Sequence, residues 1–124
     1  MIQTLSLVAL GGAAGSAMRH LVTLAALRAF GPGFPAGTMV VNVAGSFLMG
    51  MLAVLLAGAG GRLPPLLMTG VLGGFTTFSA FSLDAVALWE RGATVAAGGY
   101  VLGSVILSVA ALVLGMVLAR GLAG

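Results

Sequence analysis

The 124-residue chain contains no cysteine, one histidine, and charged residues at only 6% of its positions. The absence of cysteine removes disulfides, thiolate nucleophiles and thiolate metal sites, and leaves the redox compartment open. A soluble domain carries about 25% charged residues, so this composition excludes one. There is no Gly-X-Y period despite 21 glycines, nor any low-complexity block, so a collagen-like or disordered chain is excluded as well. Five arginines against two acids give a formal charge of +3. They are too few and too scattered for a nucleic-acid footprint. What is present is apolar: AVILMFWYC residues make up 60% of the chain, and the mean hydropathy is +1.24. The composition is that of a single small domain embedded in a membrane.

Charges at Arg19, Arg28, Arg62, Asp84, Glu90, Arg91 and Arg120 punctuate four apolar stretches. These run from Gln3 to Ala29, Gly37 to Ala57, Pro64 to Trp89 and Thr94 to Ala119. Each reaches the roughly 20 residues that a helix needs to cross a bilayer. Turn chemistry separates them: Gly31-Pro32-Gly33-Phe34-Pro35, then Gly58-Ala59-Gly60-Gly61-Arg62 ahead of Pro64-Pro65, then Glu90-Arg91-Gly92. Pro64 or Pro65 suits the opening turn of the third helix. Ala13-Ala14-Gly15 resembles a signal-peptide cleavage site, but no Lys or Arg precedes the apolar run, which favours a retained first span. The chain is expected to be an all-α, multi-pass protein of the cell (inner) membrane.

Orientation is read from the distribution of basic residues among the loops. With four spans, Arg62 and Arg120 lie on one side while Arg28 and Arg91 lie on the other. The bias is essentially zero. Such a chain is suited to insert both ways, and two opposed copies pair as an antiparallel homodimer with a two-fold axis in the membrane plane. The alternative is that five arginines are too small a sample to read. Pairs such as Gly11 with Gly15, Ser46 with Gly50, Gly70 with Gly74, and Gly99 with Gly103 allow close helix approach.

Polar residues inside a span need a partner or a wet surface, and here they align. Gly12, Ser16, Arg19 and Thr23 share a face of the first span, and Thr38, Asn42, Ser46 and Gly50 recur in steps of four along the second. Tyr100, Ser104 and Ser108 repeat that step in the fourth. Any single hydroxyl is satisfied by the carbonyl three or four residues earlier; three converging stripes instead line a narrow polar track. In the third span, Gly70, Gly73 and Gly74 precede Phe75-Thr76-Thr77-Phe78-Ser79-Ala80-Phe81-Ser82. Helix continuity fails in such a sequence. A break near Gly73 to Thr76 exposes carbonyls suited to a cation and amides suited to an anion. Phe75, Phe78 and Phe81 form either a packing stripe or a set of positive ring edges facing an anion.

Catalysis finds no support. His20 has no second metal ligand at a suitable spacing, and Asp84 and Glu90 fall on different helix faces. Gly31-Pro32-Gly33-Phe34-Pro35-Ala36 fits G-x-G-x-x-A, yet no strand precedes it and two prolines deny it amides.

Three segments carry a family resemblance: Gly11-Gly12-Ala13-Ala14-Gly15-Ser16-Ala17-Met18-Arg19, Gly37-Thr38-Met39-Val40-Val41-Asn42-Val43-Ala44-Gly45-Ser46-Phe47, and Gly73-Gly74-Phe75-Thr76-Thr77-Phe78-Ser79-Ala80-Phe81-Ser82. The chain resembles the Fluc-type fluoride channels across all four helices. The resemblance implies a passive fluoride-selective channel that relieves cytoplasmic fluoride toxicity, built as an antiparallel dual-topology dimer with two pores. It puts the family's aromatic pair on Phe78 and Phe81, its amide on Asn42 and its fourth-helix track on Tyr100, Ser104 and Ser108, leaving Phe75 as packing. It implies a structural sodium ion at the dimer axis, held by carbonyls of Gly73 and Thr76 from both copies. It places Arg19 at an aqueous vestibule. Departures from the family pattern are His20 where an aromatic is common, Ala80 where a hydroxyl is common, and Asp84 where glutamate is common.

Fluoride is small and strongly hydrated, and a bare ion of that kind in a low-dielectric interior costs on the order of tens of kcal/mol. Asn42 N–H groups and the hydroxyls of Thr77, Tyr100, Ser104 and Ser108 are donors able to replace its water without a fixed positive charge that would trap it. Arg19 raises the local anion concentration at an entrance. The alternatives are a small four-helix multidrug exporter, which needs an acid in its first span where this chain has Arg19, and a structural subunit, which leaves the stripes unexplained.

Overall fold

The computed structural model describes residues 1–124, which form helices joined by short turns. α1 runs Ile2–Phe30 and α2 runs Ala36–Leu55. A π-helix, Pro64–Leu72, leads into the single α-turn α3, Gly73–Phe75. α4 runs Phe78–Glu90 and α5 runs Thr94–Ala123. The π-helix, α3 and α4 together make one interrupted span, Pro64–Glu90, so four helical spans are long and apolar enough to cross a membrane. The chain is a multi-pass membrane protein, all-α, with one broken helix.

Local chemistry explains the ends. Pro64 and Pro65 open the π-helix, where their missing amides leave no bond unmade. α1 stops at Gly31, whose φ of 76° a side-chain-bearing residue rarely adopts, and whose N–H returns to Leu27 O. Gly92, with φ of 83°, makes the corresponding turn ahead of α5. The two turns meet: Arg91 Nη2 donates to Gly33 O at 2.8 Å. The first and third loops therefore occupy one end of the bundle, which puts Arg28 and Arg91 at that end and Arg62 at the other.

α2 packs along α5, and α1 packs along the π-helix and α3. Glycine makes both contacts possible. A Cβ on Gly15 would collide with Val71 O, and one on Gly50 would collide with Leu112 O. Gly70 and Gly74 lie against the backbone of α1, so three of the four small-residue pairs serve packing within the chain. Gly99 has open space around it, and Gly103 meets only Met39 Cε at 3.6 Å. Only 16 of 124 residues are buried. The core is thin, centred on Phe81, Leu88, Ala97 and Tyr100, and most apolar side chains face outward, as lipid or a second copy requires.

Candidate functional site

The break in the third span defines the site. Thr76 and Thr77 are extended, with ψ of 157° and 125°, and they lie near the middle of the 27-residue span. Gly73 remains helical at φ −62°, ψ −36°, so the interruption falls at the Thr76 end of the expected Gly73–Thr76 region and runs one residue past it, to Thr77. Asn42 sets it there. Its Nδ2 donates to Thr77 O at 2.9 Å, and its Oδ1 accepts from Thr77 N at 2.8 Å. One amide thus replaces both helical partners of Thr77. The Thr77 hydroxyl in turn accepts from Ala80 N at 3.2 Å, capping α4. Thr76 folds back, its hydroxyl donating to Leu72 O at 2.9 Å.

The other side of the break is held from α1. Arg19 Nε donates to Gly74 O at 3.1 Å, and Ser16 Oγ donates more weakly to the same oxygen at 3.5 Å. A cation at the carbonyl end of a half-helix also meets its negative dipole end. The carbonyls of Gly73 and Thr76 receive no hydrogen bond from backbone or side chain. They are hard oxygens left without donors at the break, and the chain has no carboxylate cluster to hold a divalent ion.

Asn42, Thr76, Thr77, Phe78, Phe81, Ser46, Ser104 and Ser108 converge on a groove of about 300 Å³. Six of the seven residues expected in the ion path are therefore neighbours: Asn42, Thr77, Phe78, Phe81, Ser104 and Ser108. Phe78 is 77% exposed and Phe81 7% exposed, their centroids 5.5 Å apart at 53°. Phe75 stands apart, its ring edge against Gly45. Ser104 Oγ is buried without a partner, a rare state for a buried hydroxyl unless a ligand or water completes it.

Tyr100, the seventh, lies behind the groove. It is fully buried, with its ring 5.1 Å from that of Phe81. Its hydroxyl donates to Asp84 Oδ2 at 3.1 Å, and Thr38 Oγ1 donates to the same oxygen at 2.7 Å. The sequence did not reveal this carboxylate anchor: Asp84 stood there as a punctuating charge, as half of a rejected acid pair and as a departure from the family pattern. The available signal was the register: Thr38 and Tyr100 head the stripes that continue as Asn42 and Ser104.

These features define a class of membrane protein that passes a small ion through the bilayer: four spans, a helix broken at mid-depth, and a hydroxyl- and amide-lined groove beside two aromatic rings. Residues 6–116 match the family model described as CrcB-like protein, Camphor Resistance (CrcB). A protein of Cereibacter sphaeroides named fluoride-specific ion channel FluC is 60% identical over 121 residues, covering 98% of both chains. Proteins of the same name from Paracoccus denitrificans and Mesorhizobium japonicum are 58% and 53% identical over 123 and 120 residues, covering 98% and 95% of this chain and 98% and 97% of their own lengths. The chain belongs to this CrcB/FluC family, whose named members are channels rather than enzymes.

Proposed function

We propose that the protein is a fluoride-selective passive channel that lets fluoride leave the cell and so relieves its cytoplasmic toxicity. The observation that carries the reading is the groove itself. Donors from α2, the break at Thr77 and α5 meet there around the unpartnered Ser104 hydroxyl, in a chain whose relatives are named fluoride-specific channels. Ser104, Ser108, the Thr77 hydroxyl and the remaining Asn42 N–H replace water around a small anion, while the ring edges of Phe78 and Phe81 tolerate negative charge. Tyr100 stands at the end of the groove next to Asp84, to which its one hydroxyl proton goes, and would join the path when that bond is exchanged for the ion. Arg19, fixed on Gly74 O, adds positive potential at a vestibule without entering the groove. A host lacking its own fluoride export should regain growth in fluoride when it makes this protein. No gain from protein that reaches the membrane would contradict the proposal.

The working unit is an antiparallel dual-topology homodimer with two pores. Support comes from the thin core of the single chain and from the even division of arginines between its ends. A tag at the carboxyl end should therefore be labelled from both faces of the membrane; labelling from one face alone would sink the dual topology.

A structural sodium ion at the dimer axis fits the groups present. The carbonyls of Gly73 and Thr76, left without donors, would supply four oxygens from two copies, and without carboxylates they suit a monovalent ion. The ion would tie the two breaks together. Sodium removal should weaken the dimer or the flux, whereas a fluoride current that needs an inward sodium gradient would contradict a structural role. Gly73→Val is informative because the nearest atom to a Cβ there is Met68 O at 3.7 Å. The chain itself has room for a Cβ there, so Gly73→Ala beside it would separate crowding within the chain from loss at the partner face.

A further inference from the structure

A second chamber, of about 230 Å³, lies at the end of the bundle where the first and third loops meet. Thr38, Asp84 and Arg91 are among its walls, as are Gly31, Pro32, Phe34 and Pro35 of the first loop. It is not separate from the groove in any deep sense. Phe81 lines the groove, Asp84 lines the chamber, and Tyr100 stands between them, touching Phe81 with its ring and Asp84 with its hydroxyl. Phe34 continues the file of rings outward, edge-on to Tyr100 at 5.4 Å and 90°. One aromatic septum thus divides the mid-membrane groove from a polar chamber near the surface.

We propose that residues 31–35 form a lid over this chamber, and that Arg91 and Phe34 hold it shut across the outer end of the fluoride route. The inference rests on the channel reading for the identity of the ion, and on this structure alone for the lid. The lid is stiff, because Pro32 and Pro35 fix φ; it begins at the positive-φ Gly31 and runs into the start of α2. The Arg91 bond to Gly33 O is the one side-chain hydrogen bond that ties it to the rest of the protein. The second latch is the Phe34 edge on Tyr100. Behind these two contacts Thr38 is 7% exposed and Tyr100 fully buried, although Thr38 is a wall of the chamber. One surface hydrogen bond and one ring contact are weak enough to open on the fast timescale of loop motion. The lid therefore sets how often a hydrated anion enters the chamber, and does not block passage.

The cysteine-free chain permits a direct test. Thr38→Cys places one thiol behind the lid, and Ala36→Cys is a second reporter in the same chamber should the first fold poorly. The rate of modification by a small, charged, water-soluble thiosulfonate is measured on the reporter alone and combined with Arg91→Ala, Arg91→Lys or Phe34→Ala. Labelling should accelerate about tenfold with Arg91→Ala, as loss of a hydrogen bond to a charged donor implies, and should also accelerate with Phe34→Ala. Arg91→Lys, which keeps a donor for Gly33 O, should stay near the parent rate. Equal rates in all four proteins, or Lys behaving as Ala, would overturn the lid. Fluoride efflux through Arg91→Ala and Phe34→Ala, without the reporter, should rise. Accelerated labelling with unchanged efflux would remove the chamber from the route. A parent protein that passes no fluoride, with labelling still accelerated, would defeat the channel reading and leave the lid standing.

Discussion

Asn42→Ala should abolish fluoride flux while the protein still purifies folded. The substitution removes an amide that lines the groove, and it also frees both backbone groups of Thr77, which the amide holds at 2.9 and 2.8 Å. Each unsatisfied group costs about 1–3 kcal/mol where water is scarce, enough to move the Thr76–Thr77 segment without unfolding four spans. Asn42→Asp should be equally inactive for a different reason. Its carboxylate still accepts from Thr77 N, but it faces the Thr77 carbonyl without a donor and repels an anion in the groove. Phe81→Ala and Phe78→Ala should impair flux severely, whereas Phe75→Ala, against Gly45, should mainly loosen packing. Equal, mild losses at all three rings would mark them as a packing stripe, and normal flux in Asn42→Asp would remove the amide from the path.

The second large effect belongs to a residue with no polar group. Gly50→Val should prevent recovery of folded protein. Leu112 O occupies the place of a Cβ at Gly50, and Phe47 O stands the same way to Gly115, so α2 and α5 approach backbone to backbone at both points. Relief requires the helices to separate, because no flexible side chain is there to yield. Overpacking of this kind costs about 1–3 kcal/mol and sometimes more. The groove would open as well, since α2 supplies Asn42 and Ser46 and α5 supplies Ser104 and Ser108 to its two walls. Gly103→Ala, facing only Met39 Cε at 3.6 Å, should be tolerated. Size-exclusion profiles in detergent would compare the two; a normal profile for Gly50→Val would contradict the close crossing.

The course of the chain was legible because apolar runs and turn residues alternate so plainly, and the stripes because a step of four keeps Asn42 with Ser46 and Ser104 with Ser108. The break was legible only as a region. Composition points to the glycines, yet Gly70 and Gly74 serve the crossing with α1 and remain helical, while the interruption goes to Thr76 and Thr77. That choice is made by Asn42, thirty-five positions away, and no local propensity contains it. Asp84 was illegible for the same reason: its two donors, Thr38 and Tyr100, come from different helices. Arg19 was read as a positive charge at an entrance, on the polar face of the first span, and folding gives it a bond to Gly74 O.

The most direct test is ion efflux from liposomes holding the purified protein, with the membrane potential clamped by a potassium ionophore and fluoride compared with chloride. Fluoride should leave rapidly down its own gradient, with neither a sodium nor a proton gradient, while chloride stays inside. Equal efflux of the two halides, or fluoride efflux that stops when cation gradients are abolished, would contradict a passive fluoride-selective channel.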